Sequence, residues 1–403
     1  MTDVLIAGGG PSGLMAGIIA ARSGKKVLII DQKEILGKKI LVTGNGRCNL
    51  TNALQAPIFY RSLEGGKPGK VLEKFSYQDL LAFFTKLGLY AVSREGYFYP
   101  YSGKAGSVLD VLKLEVKRLG ISVRTSEKIL AITKAHEGFR IQTDKGVYQG
   151  KKVVCAMGGK AFPKMGSDGS GYALLKALGH SVTPLYPSLV PITCAEKSYK
   201  KLAGIRAFAS IALYAGETFL GENTGEILFT KEGLSGIPAF QVSRYAAKAT
   251  KDGGDVFAYL DFMPDFTDAG FHDYLKARIK NMPDRTVGDF YKGLFPDRLS
   301  ELLIRISGVH DDEKAGNLSD TKISGLVRAA KHYRSRVTGT KGFDDAQVTC
   351  GGVPLGEICP DTMESKIVPG LYLTGEILDV DGICGGYNLQ WAFSSGYVAG
   401  RAL

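Results

Sequence analysis

The chain opens MTDVLIAGGGPSGLMAG, and no other stretch restricts the possible folds as strongly. An apolar run from Val4 to Ala7 reaches Gly8, Gly10 and Gly13, and a helix-forming run from Leu14 to Ser23 follows. That order reads as strand, tight turn and helix with the spacing G-x-G-x-x-G. In such a unit Gly8 makes the turn, Gly10 lets backbone approach a pyrophosphate, and Gly13 packs the helix on the strand. The helix N-terminus then faces the phosphates. Further on, KVLIID ends at Asp31, where a carboxylate can accept hydrogen bonds from a ribose. Glycines alone would also suit an ordinary βαβ unit whose small residues serve packing. With the strand before them and Asp31 after them, they point to a bound dinucleotide.

With 403 residues, 44% hydrophobic and 23% charged, the chain has the composition of a globular protein of two or three domains. No apolar run is long enough to span a membrane, and the N-terminus lacks the basic region of a secretory signal, so a cytoplasmic protein without a membrane partner is expected. Cys48, Cys155, Cys194, Cys350, Cys359 and Cys384 never form C-x-x-C, and the five histidines show no ligand spacing. Neither a disulfide scaffold nor a metal site is indicated. The net charge of +11 is spread along segments such as KLEVKR and YAAKATK. A solvated basic surface explains it better than a nucleic-acid site, and no specific nucleic-acid partner is expected.

Residues 1–190 alternate strands and helices, as in a doubly wound sheet. Within them Ile129–Lys134, Phe139–Thr143 and Val147–Tyr148 read as an antiparallel meander, and KKVVCAMGG as a return to a buried strand. GSDGSG, from Gly166 to Gly171, reads as the start of a helix, with a ligand contact as the alternative. Residues 191–262 are β-rich and 263–344 helical by their apolar spacing. From 345 to 403 the sheet pattern returns: the strand PGLYLTGE ends on Gly375-Glu376, and Gly385-Gly386 open a helix in GGYNLQWAFSSGYVAG. The expected class is therefore α/β, a discontinuous Rossmann-like domain (1–190 and 345–403) carrying an insertion. A carboxylate at Glu376 would lie at the ligand-binding edge of a parallel sheet. Amides near Asn388 and Leu389 could face N1 and O2 of a flavin and stabilise the charge it gains on reduction. A nicotinamide alone needs no such second anchor, whereas FAD stretched across the sheet does.

GLYLTGEILDVDGICGGYNLQWAFSSG, GKKILVTGNGRCNLTN, the C-A-M-G-G strand end, GSDGSGYALLKALGH and LFTKEGLSG together resemble the HI0933-like family of bacterial flavoproteins along nearly the whole chain. The resemblance implies a Rossmann-like FAD-binding domain with an inserted β-rich domain and a small helical domain. It also implies that Gly8, Gly10, Ser12 and Gly13 cradle the pyrophosphate and Asp31 holds the adenosine ribose. Gly44, Asn45 and Arg47 would line the middle of the cofactor, and the backbone of Ile129 would meet the adenine. Gly375 and Glu376 would hold the ribityl and phosphate region, with Asp381, Gly382, Asn388 and Leu389 around the flavin end. Lys231 stands where many relatives have histidine, and Tyr97 where arginine is frequent; both changes bear on substrate identity.

The family includes members that reduce a double bond conjugated to a ketone in bile-acid intermediates, and others described as aminoacetone oxidases. The resemblance thus implies an FAD-dependent oxidoreductase acting on a small-molecule substrate. Reduction of a 3-oxo bile-acid or steroid-like enone with electrons from NADH or NADPH leads, and amine oxidation with oxygen is the alternative. A flavin-containing RNA-binding or RNA-modifying protein is the rival of another class; it would need a clustered basic face with exposed aromatics. No second G-x-G-x-x-G follows a strand, so a nicotinamide would dock only transiently. The catalytic residue is not fixed by the sequence: Tyr97, Tyr99, Tyr101, Lys104, Lys231, Cys384 and Tyr387 are candidates for moving a proton.

Overall fold

A computed structural model describes residues 2–66 and 68–403. The chain divides into two compact units, Met1–Pro187 with Phe343–Leu403, and Ser188–Gly342. No helix of the described residues is long and apolar enough to cross a membrane.

The first unit is built on a sheet whose parallel part runs Ser122–Arg124, Val27–Ile30, Thr2–Ala7, Val147–Cys155 and Leu371–Leu373. Val4–Ala7 of the strand Thr2–Ala7 and all of Val27–Ile30 are apolar and buried, as strands covered on both faces must be. Register aligns their ends: Ala7 lies opposite both Ile30 and Cys155, and Cys155 opposite Leu373. The next residues of each strand therefore emerge along one edge. The strand Val147–Cys155 does double service. Its first half pairs antiparallel with Gly138–Thr143 and its second half parallel with the opening strand, so the meander and the return strand read from the sequence are one element.

The opening helix Pro11–Arg22 and the final helix Tyr387–Ala402 pack against each other in this unit. Small residues make the close approach possible. A Cβ on Gly396 would stand 2.3 Å from the Ser12 carbonyl oxygen, and one on Gly400 2.8 Å from that of Ala16. The turn before the final helix is equally tight: Gly386 has φ +91°, and a Cβ there would meet the Thr51 backbone at 2.7 Å. Trp391 donates its indole N–H to the Gly375 carbonyl (3.1 Å), and Gly375 N–H donates to Ser395 Oγ (2.9 Å). These bonds tie the segment leaving Leu371–Leu373 to the final helix.

In the second unit six strands close a barrel in the order Ile192–Cys194, Gly233–Ser235, Thr218–Thr230, Arg206–Ala215, Val256–Asp261 and Tyr333–Thr340. Within 263–344 helices run from Asp268–Asn281 to Asp320–Lys331, followed by the strand Tyr333–Thr340, and they share one core with the barrel instead of standing apart. Asp297–Ser307, for example, turns Leu299, Leu302 and Leu303 inward at helical spacing. The reason is topological. The strand that closes the barrel, Tyr333–Thr340, follows the helices in the chain and pairs with both Val256–Asp261 and Ile192–Cys194.

Candidate functional site

Where the parallel strands end together, a cleft opens in the first unit. This is the edge at which α/β sheets bind ligands. Its floor is built by the residues that leave those strands: Gly8 and Gly10, Asp31, Ala156 to Gly158, and Glu376. Gly8 has φ +101°, and a Cβ on it would strike the Ala156 carbonyl oxygen at 2.4 Å. Gly10, by contrast, has nothing within 4 Å of its missing side chain, so its backbone is open to a ligand. Pro11 supplies no N–H at the first helical position, and the first-turn amides that follow have no intrahelical acceptor.

Asp31 accepts from Gly9 N–H and Lys33 N–H, both at 2.7 Å, which holds its carboxylate at the strand end. Burial raises its pKa above the ordinary carboxylate value, and those two backbone bonds oppose the shift. Along the cleft, Lys39 forms an ion pair with Glu376 (2.9 Å) and also donates to the Ala161 carbonyl (3.0 Å). Glu376 accepts a second bond from Thr349 N–H at 2.9 Å. At the far end the first turn of the final helix presents Asn388 and Leu389. Open glycine backbone, a carboxylate at a strand end, a lysine along the wall and two helix N-termini form a donor set that fits an elongated dinucleotide such as FAD.

Of the residues singled out from the sequence, Gly8, Gly10, Ser12, Asp31, Ile129, Glu376, Asn388 and Leu389 line this cleft. The others do not, each for a physical reason. Gly13 is spent on packing, since a Cβ there would lie 2.0 Å from the Gly8 carbonyl oxygen. Gly375 is likewise pressed against Ser12 Oγ, at 2.6 Å from its missing Cβ. Gly44, Asn45 and Arg47 sit on a turn just past Thr43, which does line the cleft; all three are exposed, and Arg47 lies over the Tyr99 ring at 5.9 Å. Asp381 and Gly382 are buried in a two-residue strand against Tyr60–Arg61. The Asn388 side chain points back to Gly382, accepting from its N–H (2.8 Å) and donating to its carbonyl (2.9 Å), which leaves backbone as its offering to the cleft.

Sequence reasoning missed Lys39, Glu127, Met157, Ser167 and Trp391 as cleft residues. Lys39 lies inside GKKILV, where a cation beside glycines was the available signal. Gly166, Ser167 and Ser170 border the cleft, so GSDGSG both starts a helix and reaches it. Among the proton-moving candidates, Tyr387 donates its hydroxyl to the Leu54 carbonyl (2.9 Å), and burial pushes the Cys384 thiol up to about 12. Tyr101 and Lys104 are exposed, and Lys231 is exposed in the barrel unit.

Comparison with known proteins agrees with this architecture. The family model of the HI0933-like protein Rossmann domain matches residues 2–402. A 3-dehydro-bile acid delta(4,6)-reductase of Clostridium scindens is 43% identical over 404 residues, covering 100% of this chain and 99% of that protein. A ribosomal RNA dihydrouridine synthase of Escherichia coli K12 is 30% identical over 406 residues, covering 100% and 98%. Among solved structures, the open conformation of a flavocytochrome c3 fumarate reductase superposes with a TM-score of 0.50 at 16% identity, covering 100% of this chain and 78% of that one. The chain belongs to the HI0933-like family.

Proposed function

We propose that this protein is an FAD-dependent oxidoreductase that saturates a carbon–carbon double bond conjugated to a carbonyl. Its substrate is a 3-oxo bile-acid or steroid-like molecule and its electrons come from NADH or NADPH. The observation that carries the reading is the full-length 43% identity to a bile-acid reductase. When bound, the flavin supplies the hydride chemistry. The chain supplies position. Gly8, Gly10 and Ser12 offer backbone to the pyrophosphate, and Asp31 takes the ribose hydroxyls. Ile129 borders the adenine, Lys39 and Glu376 hold the ribityl and phosphate stretch, and the amides of Asn388 and Leu389 meet the ring system.

A second reading takes a conjugated base in ribosomal RNA as the substrate. Making a dihydrouridine also saturates a double bond conjugated to a carbonyl, so the chemistry is shared. Two features support this reading: the 30% identity to dihydrouridine synthases, and the pair Tyr90 and Tyr101, 69% and 71% exposed with ring centroids 5.6 Å apart. Exposed aromatics of this kind stack on bases.

Anaerobic stopped-flow on FAD-loaded protein separates the possibilities. Reduction by NADH or NADPH, followed by reoxidation with a 3-oxo-4-ene steroid faster than with oxygen, is the expected result. Reduction by aminoacetone with reoxidation only by oxygen would replace the reading with amine oxidation. Reoxidation by unmodified ribosomal RNA, with dihydrouridine formed, would favour the second reading.

A further inference from the structure

Four hydroxyl side chains line the cleft: Ser12, Thr43, Ser167 and Ser170. Three of them are spent on the protein. Ser12 donates to the Thr374 carbonyl (3.5 Å), Thr43 to the Ile40 carbonyl (2.7 Å) and Ser170 to Asp168 Oδ1 (2.6 Å). Ser167 differs. The residue is only 7% exposed, yet neither its hydroxyl nor its backbone N–H has a hydrogen-bond partner among the described residues. Its oxygen is not among the buried polar atoms sealed away from solvent, so the little surface it keeps opens on the cleft it lines. A hydroxyl brings one donor and two acceptor positions. Leaving them unmade inside a largely buried site carries a cost that a ligand can return.

The surroundings fix where that hydroxyl stands. Gly158, just past the end of the strand Val147–Cys155, leaves the room it needs: its φ is +72°, and a Cβ there would lie 2.4 Å from Ser167 Oγ. The residues on both sides of Ser167 are held. Gln32 Nε2 donates to the Gly166 carbonyl at 2.7 Å, and Asp168 Oδ1 accepts from Ser170 N–H at 2.9 Å as well as from its hydroxyl. Gln32 directly follows Asp31, and the Lys33 side chain packs on Gly166, 3.2 Å from its missing Cβ. Ser167 is therefore wedged between the segment that leaves Asp31 and the glycine that leaves the neighbouring strand. That is the half of the cleft assigned to adenosine.

We propose that Ser167 donates its hydroxyl hydrogen bond to the adenosine ribose of the bound dinucleotide, the group whose hydroxyls Asp31 accepts. The inference rests on the FAD reading of the cleft and adds a donor to the acceptor already assigned there. An ionised carboxylate can only accept, so Asp31 takes protons from the ribose hydroxyls and leaves the lone pairs of the ribose oxygens unanswered. Ser167 answers them. Its part is to retain the adenosine half, and it takes none in the redox chemistry at the other end of the cofactor. A fragment that carries the ribose without the flavin must therefore feel its loss.

Ser167→Ala removes the hydroxyl and nothing else. Full-length native and variant proteins, freed of flavin, are to be titrated with FAD by fluorescence, with ADP and adenosine measured as competitors. The expected result is that all three bind more weakly to the variant by one common factor, about three- to tenfold for a single neutral hydrogen bond. The melting temperature of the flavin-free protein and the absorption bands of bound FAD should not change. Native-like FAD affinity in the variant overturns the assignment. So does a loss seen with FAD alone, which puts the contact at the flavin half, and so does one seen with ADP but not adenosine, which puts it on a phosphate. A lower melting temperature of the flavin-free variant also overturns it, because Ser167 then serves the fold. In each of these cases the FAD reading stands. A native protein that binds neither FAD nor ADP overturns that reading and the assignment together.

Discussion

Replacing Gly396 by alanine should weaken both the fold and the cofactor's hold, although Gly396 does not line the cleft. The added Cβ would lie 2.3 Å from the Ser12 carbonyl oxygen and 3.0 Å from Ser12 C and Cα, all of them backbone. The final and opening helices must part by about 0.7 Å before the shortest of these contacts reaches 3.0 Å. Overpacking of this kind costs about 1–3 kcal/mol. Alanine returns about 1 kcal/mol through helix propensity. The net is a loss of up to about 2 kcal/mol, and it falls on Ser12, which lines the cleft. Each 1.4 kcal/mol lost from the bound state lowers FAD affinity about tenfold. Gly106 is the control: it lies in the helix Ala105–Arg118 with nothing within 4 Å, so alanine there gains propensity without a clash. Urea unfolding and fluorescence titration with FAD would measure both variants. If Gly396→Ala proves as stable as Gly106→Ala and binds FAD as tightly as the native protein, the close crossing is not what seats Ser12.

Two further outcomes follow from charge and burial. Glu115 is held at about 2, below its ordinary 4.5, chiefly by the hydrogen bond from Arg118 and then by Arg22, against the opposing effect of burial. A depressed carboxylate contributes stability above its unfolded pKa and loses it as pH falls through the folded one. The native protein should therefore lose stability between about pH 4.5 and 2 more steeply than Glu115→Gln, and equal slopes in urea midpoints over that window would refute the pairing. Alkylation of the folded protein near neutral pH should favour Cys359. Hydrogen bonds from Thr362 lower its thiol, whereas burial pushes Cys48, Cys155, Cys194 and Cys384 up to about 12. Peptide mapping that found Cys48 or Cys155 modified first would contradict this ranking.

The two ends of the cleft were legible in the sequence because each is a local signal: a strand, then glycines or a carboxylate, then a helix. Gly8, Gly10, Asp31 and Glu376 all carry it, and sheet register then sets them on one edge. The middle was not legible. Lys39 and Glu376 are 337 residues apart in the chain and meet only because parallel strands bring their loops together. Gly44, Asn45 and Arg47 form a distinctive run, yet whether a loop faces a cleft or solvent is decided by what packs behind it. Asn388 carried a further ambiguity: it lines the cleft, but its side chain closes the turn to Gly382. In the second unit the alternating strands could be read one by one. Barrel closure could not, because the closing strand lies beyond four helices.

The cleft is assembled from segments far apart in the polypeptide. During synthesis the strand Thr2–Ala7, its glycine turn and its helix leave the ribosome long before the neighbouring strand Leu371–Leu373 and the helix Tyr387–Ala402. Between these two events the apolar flank of Val147–Cys155 and the small-residue face of Pro11–Arg22 have no partner. A cleft complete along its length therefore exists only once both segments are made. A chain cut short before Leu371 keeps the glycine turn but lacks Glu376, Asn388, Leu389 and Trp391 of the cleft, and its unpartnered apolar faces favour aggregation.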